Sequence, residues 1–255
     1  MNNIQETLLF PVHDSEARKQ FLITCLIMLA SFVIPILPMF VVMGYGVKIM
    51  RQIIDERKDP SMPNWQGIDW SETFLDGVKL YGVQLVYTLP LFLFLGAGII
   101  SMMVGSFSVA ALSDESTRSF APVGGIFFII GIGLFMLFSL ISLPYGIIIS
   151  AVGPHVATKR SFAAGFEFKE WWQIFRKAIG QFLLAYAMTM VVSFVFIIIM
   201  QIAMITLVLM CIVPFIMIPY SAYLTLMTNT LYAQAYLAGR DALQVETQNT
   251  ITESA

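Results

Sequence analysis

Residues 125–149 read GIFFIIGIGLFMLFSLISLPYGIII, without a single charged side chain. A helix rises about 1.5 Å per residue and the hydrocarbon core of a bilayer is about 30 Å thick, so about 20 such residues cross it. The longer run around this stretch and two others share this character. Lys79 and Asp114 enclose 34 uncharged residues, Arg118 and Lys159 enclose 40, and Lys177 and Arg240 enclose 62. The last is too long for one crossing and folds back as two helices. The whole chain agrees: of its 255 residues 58% are hydrophobic and 12% charged, with a mean hydropathy of +0.81. A soluble domain carries about 25% charged residues. This composition excludes a soluble enzyme, a disordered chain and a disulfide scaffold. A net charge of −2 gives no electrostatic basis for nucleic acid as a partner.

The expected fold is all-α. It is a polytopic transmembrane bundle with four full spans, an N-terminal proline-broken hairpin or fifth span, and two interfacial amphipathic helices. Residues 1–20 form an N-terminal segment, 21–239 one membrane-embedded domain, and 240–255 a polar tail. The spans are placed at 81–106, 124–150, 181–207 and 213–237, with the last turn around 208–212. The first run, 21–47, carries Pro35 and Pro38 at its middle. Proline removes a backbone donor and crowds the preceding turn, so the run either kinks while crossing or re-enters as a hairpin. Lys and Arg prefer the cytoplasmic side. A hairpin places 13 of them inside and 1, Arg118, outside; a crossing gives 11 against 3. The hairpin is favoured, with both termini cytoplasmic in a cell (inner) membrane. A re-entrant turn is expected to need protein cover. The run is also too long for a signal peptide.

Each polar loop ends in an amphipathic helix leading into a span. Asp69 caps the first and Glu72 has the spacing to reach back to it. Trp70, Phe74, Val78 and Tyr81 make its apolar side, with Ser71, Glu72, Asp76 and Lys79 elsewhere. In the second, Phe168, Trp171, Trp172, Phe175, Ile179 and Phe182 oppose Glu167, Glu170, Gln173, Lys177 and Gln181. All four tryptophans lie in these loops. Trp and basic side chains suit the headgroup layer, so Trp70, Trp171, Trp172, Arg176 and Lys177 are candidate interfacial contacts. The layout of amphipathic helix, span, turn, span occurs at 69–152 and again at 165–238. That order is compatible with the parallel repeats some transporters use.

The stretch from Phe40 to Pro90 holds GYGVKIMRQIID, PSMPNW and DWSETFLDGVKLYGVQLVYTLP. With IPIL at 34–37, RSFAAGFEFKEWWQIFRK and AQAYLAGR, this order resembles domain of unknown function 4013, an uncharacterised prokaryotic membrane-protein family. The resemblance spans about residues 8–240. It implies a polytopic protein with this loop plan and brings no activity with it.

Ionisable groups inside a bilayer usually mark ion or substrate paths, and none falls within the four spans. His13 and His155 are isolated in sequence, without a ligand-spaced carboxylate or cysteine, so no metal or cofactor is expected. Cys25 and Cys211 sit in apolar runs, where Cys acts as a small hydrophobe. No P-loop, Gly-x-Ser-x-Gly or His-Glu-x-x-His occurs. What remains is uncharged polarity. Tyr87, Tyr145, Gln201 and Asn229 are the candidate intramembrane contacts, with Asn229 expected to bond across to a neighbouring helix. Ala97, Ser101 and Gly105 form a small-residue stripe for close helix approach, and Gly131 and Gly133 thin the next span. The expectation is a non-catalytic accessory or scaffold subunit, or a handler of apolar ligands. Its partners are the lipid bilayer and other membrane proteins. The alternative is a small-solute or lipid transporter built on the repeat.

Overall fold

A computed structural model describes residues 4–110, 121–205 and 207–253. Every regular element among them is helical. In order these are α1 (Ile4–Leu9), α2 (Ser15–Leu29), α3 (Leu37–Ile54), α4 (Trp70–Ala110), α5 (Ala121–Ile149), α6 (Val152–Lys159), α7 (Phe168–Lys177), α8 (Ile179–Met204) and α9 (Leu207–Glu253). Five helices are long and apolar enough to cross a membrane: α3, α4, α5, α8 and α9. The chain is a multi-pass helical membrane protein. Arg118, the one cation assigned outside, lies beyond the described residues.

The chain divides into two compact units, Met1–Val83 with Ile149–Ala255, and Gln84–Ile148. In the first, α9 is the central post. Its contacts settle how α2 and α3 run. Up α9, Phe215 meets Phe32, Ser221 meets Met28, and Gln234 meets Thr7. Those partner numbers fall as α9 rises, so α2 is antiparallel to α9. On α3, Gly46 lies against Asn229, while Arg240 of α9 donates to the Ile54 carbonyl and pairs with Asp55. These numbers rise together, so α3 is parallel to α9. The run is a helical hairpin, broken at Ile36, whose φ is 76°. Its charge-free legs, Phe21–Leu29 and Leu37–Val47, are about 13 and 16 Å long at 1.5 Å per residue, and α3 reaches about 27 Å only with the turns that carry Lys48 and Arg51.

The hairpin tip does not have the protein cover expected of it. Val33 is 83% exposed and Phe32 63%. The backbone solves the problem locally. The amides of Val33 and Ile34 both donate to the Ala30 carbonyl, Leu37 to Pro35, and Met39 and Phe40 to Ile36. Pro35 and Pro38 have no N–H to satisfy. The prolines that break the helix also reduce the number of donors left facing lipid.

The legs are clasped from below by Trp65. Its indole N–H donates to the Gln20 carbonyl and Thr24 Oγ1, its backbone N–H to Gln20 Oε1, and its ring stacks on Tyr45 at 4.2 Å. The last turn sits earlier than expected, since α8 ends at Met204 and α9 starts at Leu207.

In the second unit, α4 and α5 approach through glycines. A Cβ on Gly105 would fall 2.6 Å from Phe128, and one on Gly131 2.5 Å from Met102. The buried small positions are Gly98 and Gly105, seven apart, rather than the expected Ala97–Ser101–Gly105 stripe; Ala97 is exposed. Two helical turns return a residue almost to the same face. Gly133 meets nothing within 4 Å and thins nothing.

Candidate functional site

The candidate site is a pair of charged networks in the first unit, sharing α6. The first depends on a glycine crossing. A Cβ on Gly44 would lie 1.7 Å from the Thr73 carbonyl oxygen, and one on Gly77 1.8 Å from that of Phe40. Only bare backbone lets α3 and α4 meet so closely. Arg51 follows Gly44 by two turns on the same face, and Asp76 adjoins Gly77. The two side chains therefore meet inside the protein, 7% and 4% exposed. Arg51 Nη1 donates to Asp76 Oδ2 at 2.5 Å and Nε donates to the Ala157 carbonyl of α6 at 2.8 Å. Glu72 stands 3.6 Å from the same guanidinium and 3.8 Å from Arg160. Lys79 lies 3.5 Å from Asp76 and donates to the Arg160 carbonyl.

The second network turns on His155, which is 1% exposed. Nδ1 lies 2.7 Å from the Tyr236 hydroxyl of α9 and Nε2 3.3 Å from Glu167. The neutral tautomer with hydrogen on Nε2 satisfies both, accepting from the phenol and donating to the carboxylate. Lys159 donates to Glu170 at 2.5 Å and lies 2.8 Å from Glu167. That ammonium, and after it His155, hold the Glu167 carboxyl below the usual range. His155, Glu167 and Glu170 bring their donor atoms within 4.8 Å of one another, as a divalent cation would require. Lys159 already supplies the positive charge this set attracts, so the cluster works as an ion-pair lock.

Several sequence expectations change here. Asp69 does cap α4, accepting from the amides of Ser71 and Glu72, but Glu72 turns to Arg51 and Arg160 instead of reaching back. The buried side of α4 is Thr73, Asp76, Leu80 and Val83, while Trp70 is 52% exposed. Of the residues expected on the polar side only Asp76 packs inward, where Arg51 receives it; Ser71 and Glu72 stay exposed, and Phe74 and Tyr81 are half-buried against Phe40. Trp171 is not an interfacial contact. It is 1% exposed, because the α7 face bearing Trp171, Ile174 and Phe175 turns into the protein. Gly239 of α9 admits the Ile174 carbonyl there at close range. Trp172 is half-buried and Arg176 exposed, and Lys177 pairs with Glu246 at 2.6 Å. The second amphipathic helix does not run straight into its span, because the chain bends at Ala178.

Within the second unit the Tyr145 hydroxyl donates to the Tyr87 carbonyl at 2.5 Å, one turn before Pro90, where the helix ladder is interrupted. Gln201 is exposed. Asn229 is 9% exposed, and its amide rests on Gly46. Sequence reasoning missed Asp76, His155, Lys159 and Glu167 as a site. Their legible signal was polar side chains flanking the long apolar runs, with Asp76 beside Gly77.

The pattern of a family described as "Protein of unknown function (DUF4013)" matches residues 27–209. The chain belongs to the DUF4013 family. The match is shorter at both ends than the resemblance read from the sequence. It takes in Arg51, Asp76, His155 and Glu167 of this DUF4013 protein and stops short of Tyr236. No curated protein and no solved structure matches the chain.

Proposed function

We propose that this DUF4013 protein is a non-catalytic accessory or scaffold subunit of the cell membrane, with both termini on the cytoplasmic side. The observation that carries this reading is the mutual neutralisation of the charged cluster. Arg51 is taken by Asp76, and Lys159 by Glu167 and Glu170. Charged groups spent on one another, the Arg51–Asp76 pair buried and the Lys159 contacts half-exposed, fix the arrangement of helices rather than attack, protonate or carry a substrate. Its partners on this reading are the bilayer and other membrane proteins.

A second reading, a handler of apolar ligands, has one observation in its favour. A cavity of about 300 Å³ beside the hairpin tip is lined by Met28, Ser31, Phe32, Pro214, Met217, Ile218 and Ser221. Native purification in mild detergent, with identification of co-purifying protein and lipid, separates the two. A stoichiometric membrane-protein partner supports the scaffold. One apolar compound retained without protein supports the handler. Saturable solute uptake in reconstituted vesicles overturns both in favour of a transporter.

A further inference from the structure

α7 has an outward face that the packing leaves free. Phe168 is 55% exposed and stacks on Trp172. Lys169, Gln173 and Arg176 are all exposed, and at 100° per residue they lie within about 60° of one another on the helix. Arg176 and Lys177 also line a cleft of about 430 Å³ with Gln173 and, from α9, Leu243 and Glu246. Lys177 is held by Glu246, so the cleft keeps one unbalanced positive charge, with Lys169 two turns away.

The depth of this cleft follows from what comes next in the chain. Ile179 and Leu183, on the first turns of α8, are 55% and 53% exposed, and α8 continues as an apolar span. Hydrocarbon therefore begins within about two turns of Arg176, at 1.5 Å per residue. Aromatic rings beside cations at that level match the headgroup layer. A guanidinium there has the planar fork that phosphate oxygens accept.

We propose that the α7–α9 cleft binds the phosphate of an anionic phospholipid. Arg176 is the principal donor, Lys177 is neutralised by Glu246, and Phe168 and Trp172 rest among the acyl–glycerol groups. The inference goes beyond the scaffold reading and does not depend on it. The occupant is a lipid because the cleft opens at headgroup depth and its free charge is positive.

The test uses the full chain in mild non-ionic detergent, with melting temperature followed against added lipid. Dioleoyl phosphatidylglycerol is expected to raise it in a saturable way, since a ligand of the folded state stabilises by mass action. Dioleoyl phosphatidylcholine and inorganic phosphate are expected to do much less. In Lys169→Gln/Arg176→Gln the apparent phosphatidylglycerol affinity should fall by about fivefold per removed cation. Glu246→Gln, which frees Lys177, should raise it. In nanodiscs, brominated phosphatidylglycerol should quench the wild type more than Trp172→Phe. Equal shifts with phosphatidylcholine overturn the proposal, as does full retention in the double variant or a loss in Glu246→Gln. A shift of the same size with inorganic phosphate replaces the lipid with a free anion.

Discussion

Arg51 and Asp76 hold one another at 2.5 Å with almost no water in reach. Removing one partner of such a pair strands the other. Arg51→Ala and Asp76→Ala are each expected to cost about 3–5 kcal/mol. Arg51→Met/Asp76→Leu should recover most of that loss, because neither charge is then buried alone. Thermal unfolding of the four proteins in detergent checks it, and a double variant no more stable than the singles would contradict it. Glu167 answers to pH instead. Its carboxyl is held below its ordinary 4.5 by Lys159 and then His155. A depressed folded pKa gives stability that is full above the unfolded value and fades as pH falls through the folded one. The melting temperature should therefore drop more steeply below about pH 4.5 in the wild type than in Glu167→Gln. Parallel curves would show that the Lys159 contact adds nothing.

The helices themselves were legible from charge-free runs, because apolar length is what a bilayer selects. Their facing was not. The 3.6-residue period separates the polar from the apolar side of α4, but the side turned inward depends on what waits there. Arg51 drew Asp76 in and left Trp70 out. On α7 the aromatic side read as one face is divided: Trp171 and Phe175 pack within the protein, Trp172 sits at its edge, and Phe168 faces out. The crossing of α3 and α4 depends on two glycines among many, and only backbone proximity distinguishes them. Gly44→Ala and Gly77→Ala push a methyl into a carbonyl oxygen and should each lose about 1–3 kcal/mol. Gly96 and Gly125 meet nothing within 4 Å. Their replacement by Ala should be neutral or gain up to about 1 kcal/mol from helix propensity. Melting temperatures of the four variants would expose an error if Gly96→Ala proved as damaging as Gly44→Ala.

Helix α9 spans 47 residues, about 70 Å at 1.5 Å per residue, far more than a bilayer is thick. Its apolar part lies among α2, α3 and α8, and its polar end carries Arg240, Asp241 and Glu246 to the loops. There Arg57 grips Asp241 with two hydrogen bonds, and Lys177 meets Glu246. α1 reaches that same end, with Thr7 against Gln234. The N-terminal segment, the α3–α4 loop and the end of α9 are thus expected on one side of the membrane. This arrangement requires the hairpin: if α2 crossed instead, Thr7 and Gln234 would be a bilayer apart. In a background with Cys25 and Cys211 replaced by Ala, single cysteines at His13, Asn64 and Thr247 should react with an impermeant maleimide from one common side. A cysteine at Ile205, which is 81% exposed beyond the end of α8, should react from the other. Labelling of His13→Cys from the side opposite Asn64→Cys would mean that the first run crosses, that the Trp65 clasp does not form, and that the spans number five.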